Sequence, residues 1–256
     1  MGNREAYAKR LSGLREWRPY LVKNSGLPGP RGTIELAQAV ADLGTAKLFQ
    51  QYLDLDRSPT ASDSEKEYLV FCGVLGLGRL AAEGSSGYLD TLRRYASDPR
   101  WRIREAVAMA LQRVGLADMD LLLRTTRTWI AGGWLEQRAA AAGLCEPALL
   151  HDEQHARKVL VVLDAVTVNM TRAADRASDA FRALRKGMGY CWSVAVAASP
   201  REGKRRMERW LKSSDADVVW VMKENLGKNR LTKIDPDWIE KWRKHLPSKA
   251  RGSASR

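Results

Sequence analysis

Asp98-Pro-Arg-Trp-Arg-Ile-Arg-Glu-Ala-Val-Ala-Met-Ala-Leu111 is the stretch of this 256-residue chain that decides the fold. It opens with a residue type that favours the helix N-cap, followed by a proline. Proline lacks a backbone N–H, which costs nothing in the first turn of a helix, where that N–H has no partner within the helix. Apolar residues then recur at helical spacing, with alanines in the middle. Because small side chains let a neighbouring helix approach closely, the stretch predicts a helix packed along its whole length.

Related helices recur along the chain. Trp101–Leu111 aligns with Trp134–Leu144, and the same step of 33 residues backwards leads to Tyr68–Gly78. Trp220–Leu226 is a shorter copy. Each of these helices is followed by a more amphipathic one, so helices of two kinds alternate. Such alternation at a fixed period predicts stacked helical hairpins.

The rest of the chain carries almost no strand pattern, since alternating runs of β-branched residues are missing. An all-α fold is therefore expected. Residues 1–246 are expected to form one domain, with a helical cap over 1–56, about five repeats over 64–246 and a disordered basic tail over 247–256. The expected helices are 3–23, 34–43, 45–55, 65–82, 87–96, 100–114, 118–130, 134–145, 152–170, 174–198, 201–212, 217–230 and 236–245.

The pattern Asp98-Pro99, Ile103-Arg104, Ala106 and Ala110-Leu111 resembles a HEAT repeat. The resemblance implies an α-α superhelix, a solenoid of antiparallel helix pairs that presents a concave face to a partner. The other units match the pattern less well, and 146–198 is longer than one period. A multi-helix bundle without a superhelix is the alternative fold.

The charge of the chain indicates an anionic partner. Its formal net charge is +13, and Arg201–Arg256 contains sixteen Lys and Arg against eight Asp and Glu. A basic surface of this size favours nucleic acid over an acidic protein. The 45% hydrophobic fraction argues against wholesale disorder, and no run of about 18 apolar residues predicts a membrane span. We expect a cytoplasmic monomer.

The basic residues on or near the inner helices are the candidate contacts to phosphates. If successive repeats bring them onto one concave surface, they would follow an extended polyanion. For Arg104, pairing with a neighbouring Asp is an ordinary alternative. The candidates are Arg100, Arg102, Arg104, Arg138, Arg185, Lys186, Lys223 and Lys228.

Trp101 and Glu105 are spaced i,i+4, which puts them on one helix face. In general style the chain is similar to bacterial HEAT-like alkylpurine DNA glycosylases, which place an Asp four residues after a Trp. The resemblance implies that aromatic rings and a carboxylate stabilise the cationic sugar as a modified base leaves, which makes Trp101 and Glu105 the candidate catalytic residues. This chain has Glu where that family has Asp. The spacing recurs at Trp220 and Glu224, which favours a role in helix stacking instead.

Other chemistry is not indicated. Cys72, Cys145 and Cys191 are isolated in apolar helical stretches, so we expect buried thiols and neither a metal site nor a cofactor. The sequence thus favours a non-catalytic HEAT-repeat module that binds an anionic macromolecule. A HEAT-like glycosylase and a protein–protein scaffold are the alternatives.

Overall fold

The computed structural model describes residues 3–57 and 63–246, and the fold below refers to those residues. They form fifteen α-helices and no strands, which confirms the expected all-α class. The expected tail at 247–256 lies outside the described residues. The chain divides into two compact units, Met1–Trp129 and Ile130–Arg256.

Unit 1 contains eight of the described helices, and α5 forms its centre. Helix α5 packs against α3, α4 and α7, while α1 packs against α3 and α8 against α7. Residues 68–78 of α5 are all buried. The helices are α1 (Asn3–Ser12), α2 (Arg18–Asn24), α3 (Ile34–Leu43), α4 (Ala46–Asp54), α5 (Asp63–Ala82), α6 (Tyr88–Tyr95), α7 (Trp101–Ala117) and α8 (Met119–Trp129).

Glycines let the helices of unit 1 approach closely. A Cβ atom added to Gly78 would lie 2.5 Å from Cα of Ala110 on α7, and one added to Gly76 would lie 2.4 Å from the ring of Phe49 on α4. Carbon atoms in contact are normally about 3.5–4.0 Å apart. Glycine at these two positions therefore lets α4 and α7 pack closely against α5.

Unit 2 contains the other seven described helices, and α11 is central to it. Helix α11 packs against α9, α10, α12 and α13. Buried Asn225 joins α13 to α11, because its Oδ1 accepts from the Ser193 amide at 2.7 Å and its Nδ2 donates to the Met188 carbonyl at 2.8 Å. The helices are α9 (Trp134–Leu144), α10 (Glu153–Thr171), α11 (Asp179–Ala198), α12 (Pro200–Leu211), α13 (Ala216–Leu226), α14 (Asn229–Ile234) and α15 (Pro236–His245).

Two expected helices are each divided in two. The expected helix 3–23 stops at Ser12 and resumes at Arg18, where Pro19 occupies the first turn. The expected helix 217–230 ends at Leu226, and α14 begins at Asn229. Helix α7 begins at Trp101, because Oδ1 of Asp98 accepts the backbone N–H of Arg100 at 2.8 Å and forms a turn before the helix.

Candidate functional site

Three of the predicted basic residues lie at the start of α7, and all three are engaged within unit 1. Arg100 forms ion pairs with Asp98 and Asp56, each at 2.7 Å. The hydrogen bond to Asp98 raises the pKa of Arg100 above its ordinary value. Arg104 donates to the carbonyl oxygens of Asp98 and Pro99 at 2.6 and 2.8 Å. These arginines hold the turn that precedes α7.

Arg102 connects three segments of unit 1. Its Nη1 lies 3.1 Å from Oε2 of Glu67 on α5, and its Nη2 donates to the carbonyl of Gly29 at 3.0 Å. Its guanidinium carbon lies 4.7 Å from the centroid of the Trp101 ring. An arginine held by a carboxylate, a carbonyl and an aromatic face has few donors left for an external phosphate.

Trp101 and Glu105 line one cavity of about 260 Å³. Trp101 is 50% exposed, so its ring forms an open wall of the cavity and does not pack into the core. The cavity lies between the first turns of α5 and α7 and the loop before α3. Its full lining is Leu27, Arg31, Gly32, Ile34, Glu67, Tyr68, Phe71, Trp101, Arg102, Glu105 and Met109.

Tyr68 and Phe71 form the aromatic floor of this cavity. Their rings are nearly parallel, at 6°, with centroids 6.4 Å apart, and the Tyr68 hydroxyl donates to the carbonyl of Thr33 at 2.8 Å. Burial raises the pKa of Tyr68, so its hydroxyl stays neutral. The cavity thus places aromatic faces beside two carboxylates, of which Glu67 is already paired with Arg102. The i,i+4 spacing predicted the Trp101–Glu105 pair, whereas no sequence signal placed Glu67, Tyr68 or Phe71 beside it.

The other five predicted basic residues belong to unit 2, on consecutive inner helices. Helices α9, α11 and α13 pack side by side, with α11 in the middle. Their cationic residues define what we term the α9–α11–α13 face, which also includes the residue that precedes α14. Its members are Arg138, Arg185, Lys186, Lys223 and Lys228.

Glycines on α11 fix the orientation of this face. A Cβ atom on Gly187 would lie 3.4 Å from Cγ of Arg138 on α9, and one on Gly189 would lie 3.2 Å from Cβ of Glu224 on α13. On a helical wheel Lys186 falls between these two directions, so its side chain points away from the core. Lys186 is exposed and makes no ion pair within the described residues.

Arg185 differs from Lys186 because it is engaged within unit 2. Its Nε lies 3.0 Å from a carboxylate oxygen of Asp217 on α13, and its guanidinium carbon lies 4.2 Å from the centroid of the Trp220 ring. Trp220 is thereby covered by an arginine, as Trp101 is in unit 1. Both Trp-x-x-x-Glu segments therefore have an arginine over the tryptophan ring. Of these two tryptophans, Trp101 is exposed and Trp220 is not.

In the described part of the chain, no three His, Cys, Asp or Glu side chains are grouped so that they could hold a metal ion. Within the same residues, every helix is too short or too polar to cross a membrane. The three cysteines are buried free thiols, as expected.

No protein-family model, curated protein or solved structure matches this chain. Its function is therefore inferred from the two features described above, the α9–α11–α13 face and the cavity at Trp101.

Proposed function

We propose that the protein is a non-catalytic, HEAT-type binding module that holds the phosphates of a nucleic acid on its α9–α11–α13 face. The HEAT-type stacking is supported by the way alternate helices pack together, in the order α1, α3, α5, α7 in unit 1 and α9, α11, α13 in unit 2. Each pair of neighbours in these layers is separated in sequence by a helix of the other layer.

The observation that carries the binding proposal is the row of cationic side chains on three adjacent helices. Arg138, Lys186 and Lys223 lie on α9, α11 and α13, and Lys228 follows α13. Neighbouring packed helices are about 8–10 Å apart. The phosphates of one nucleic-acid strand are several ångströms apart, so a row of cations on successive helices can contact several phosphates at once. The formal net charge of +13 adds long-range attraction.

The proposal is tested by removing charge from the face. The variant Lys186→Gln/Lys228→Gln removes two cations that make no ion pair within the described residues. The control Lys212→Gln/Lys233→Gln removes two exposed cations of unit 2 outside the face. Binding of a labelled 20-base-pair DNA duplex is measured by fluorescence anisotropy at low salt.

We expect the face variant to bind about fivefold to tenfold more weakly than the wild type, since each exposed contact contributes about 0.2–1 kcal/mol. The control variant should lose less than half as much binding free energy as the face variant. Equal losses in both variants would show attraction by net charge alone. Absence of binding by the wild type would reject a nucleic-acid module and favour a protein–protein scaffold.

The excision of alkylated purines is a second candidate function, and it rests on the cavity at Trp101. Trp101 and Glu105 line this cavity together with two further aromatic rings. A base that is already cationic leaves readily once a carboxylate and π-faces stabilise the developing oxocarbenium ion. Because Glu105 is longer than the Asp of the glycosylases, its charge would lie farther from the helix.

Release of methylated purines from alkylated DNA tests this candidate. Trp101→Ala and Glu105→Gln should abolish release without weakening DNA binding, whereas Glu224→Gln, at the same spacing from Trp220, should leave release unchanged. If no base is released even when the protein exceeds its substrate, the cavity does not perform this reaction.

A further inference from the structure

A strongly cationic groove lies between α10 and α12 of unit 2, outside the α9–α11–α13 face. Its volume is about 630 Å³. Helices α10 and α12 pack against each other, and each contributes residues one helical turn apart. The groove is lined by Arg157, Lys158, Val161, Arg201, Glu202, Arg205 and Arg206.

The single carboxylate in this lining is already neutralised. Glu202 accepts from Arg205 at 2.6 Å and from Arg206 at 2.5 Å. The hydrogen bond from Arg205 lowers the pKa of Glu202 to about 2, so it stays ionised and bound to its arginines at neutral pH. Its charge does not repel an incoming anion as an isolated carboxylate would.

Two further carboxylates reach the lining from outside. Glu153 pairs with Arg157 at 2.9 Å, and Asp164 pairs with Arg206 at 2.5 Å. Even with both included, five cations face three carboxylates. Arg201 is exposed and makes no ion pair within the described residues. The lining of the groove therefore contains more cationic than anionic side chains.

The shape of the groove favours a ligand larger than a monovalent ion. Val161 lies on α10 one turn after Arg157, lines the groove and is 52% exposed. Cationic residues of both α10 and α12 line the same groove. Arginine presents N–H groups in a planar fork that fits the oxygens of a phosphoryl group in a bidentate arrangement.

We propose that the groove between α10 and α12 binds a ligand that carries two or more phosphoryl groups. The same chemistry is offered by a free polyphosphate and by the phosphodiester backbone of a nucleic acid. This site does not depend on the function proposed for the α9–α11–α13 face, because it is built from other helices.

Titration calorimetry with inorganic tripolyphosphate at low ionic strength tests the site. The wild type should bind one tripolyphosphate per chain. Arg201→Ala/Arg205→Ala should weaken binding about tenfold, while Lys212→Ala/Lys233→Ala, which removes as much charge elsewhere in unit 2, should change it less than twofold. Equal weakening by both variants, or no binding by the wild type, would overturn the proposal.

A second variant guards against loss of the fold. Val161→Glu places a carboxylate in the lining of the groove without removing any ion pair, and it should weaken tripolyphosphate binding by a similar factor. Far-ultraviolet circular dichroism and thermal melting should match the wild type. If folded Val161→Glu binds as tightly as the wild type, the groove is not the site.

Competition identifies the source of the phosphoryl groups. Displacement of tripolyphosphate by an oligonucleotide, lost in Val161→Glu, would assign the groove to a nucleic-acid backbone. Simultaneous binding of both ligands would assign it to a free polyphosphate. If both ligands bind at once, Lys186→Gln should weaken binding of the oligonucleotide and leave binding of tripolyphosphate unchanged. This result separates a failure of this site from a failure of the α9–α11–α13 face.

Discussion

Replacing Gly78 by alanine tests the close approach of α5 and α7 in unit 1. The added methyl group would lie 2.5 Å from Cα and 2.6 Å from Cβ of Ala110. The first of these atoms belongs to the backbone and cannot rotate away. To restore ordinary contact at about 3.5 Å, the two helices must separate by about 1 Å.

The cost follows from two opposing effects. Overpacking a well-packed core costs about 1–3 kcal/mol, and we take the upper end because the obstructing atom is backbone. Alanine stabilises a helix interior by about 1 kcal/mol relative to glycine. We therefore expect Gly78→Ala to lower the free energy of unfolding by about 2 kcal/mol, and Tm by about 4–8 °C.

The matched control is Gly87→Ala. A Cβ atom on Gly87 meets no atom within 4 Å, and its φ of −57° suits any L-residue. Urea unfolding and thermal melting of both variants provide the measurement. The control should be neutral or slightly stabilised. If Gly78→Ala were as stable as the wild type, α5 and α7 would not lie as close as described.

Three other properties of the fold lead to predictions. Asp164→Asn should lower the unfolding free energy, measured in urea, by about 3 kcal/mol, because buried Asp164 accepts from two arginines and the Trp210 indole. Glu240→Gln, which breaks an exposed pair with Lys244, should lower it much less. The pKa of Glu202 is lowered from 4.5 to about 2, so the stability that ionised Glu202 contributes is complete above pH 4.5 and declines toward pH 2. The difference in Tm between the wild type and Glu202→Gln should therefore shrink between pH 4.5 and pH 2. A difference that stays constant over this range would contradict the prediction. Because Cys72, Cys145 and Cys191 are buried, a thiol reagent should label none of them in the native protein and all of them in denaturant. Rapid labelling of the native protein would contradict their burial.

Much of the helical framework could be predicted from local sequence. Helices α3 and α15 have the expected bounds. Asp235 caps α15 by accepting the backbone amide of Trp238 at 2.9 Å. The break at 13–17 was missed, although Gly13 and Pro19 flank it and Pro19 marks the start of a new helix.

The candidate sites depend on contacts that local sequence does not encode. The i,i+4 spacing placed Trp101 and Glu105 on one face, and the structure confirms that both line one cavity. Glu67 reaches Arg102 across 35 residues, so the engagement of this arginine follows only from tertiary packing. The groove between α10 and α12 was missed for the same reason, since Arg157 and Arg205 approach it from separate helices.

The salt dependence of nucleic-acid binding tests the proposed function most directly. Lys186 and Lys228, the two cations of the α9–α11–α13 face that make no ion pair within the described residues, are expected to contact phosphates. A plot of log K against log salt for a 20-base-pair duplex should therefore have a slope of about −2, and affinity should fall about tenfold between 50 and 200 mM salt. A slope near zero, or no binding at 50 mM salt, would contradict the proposal that this face holds a nucleic acid.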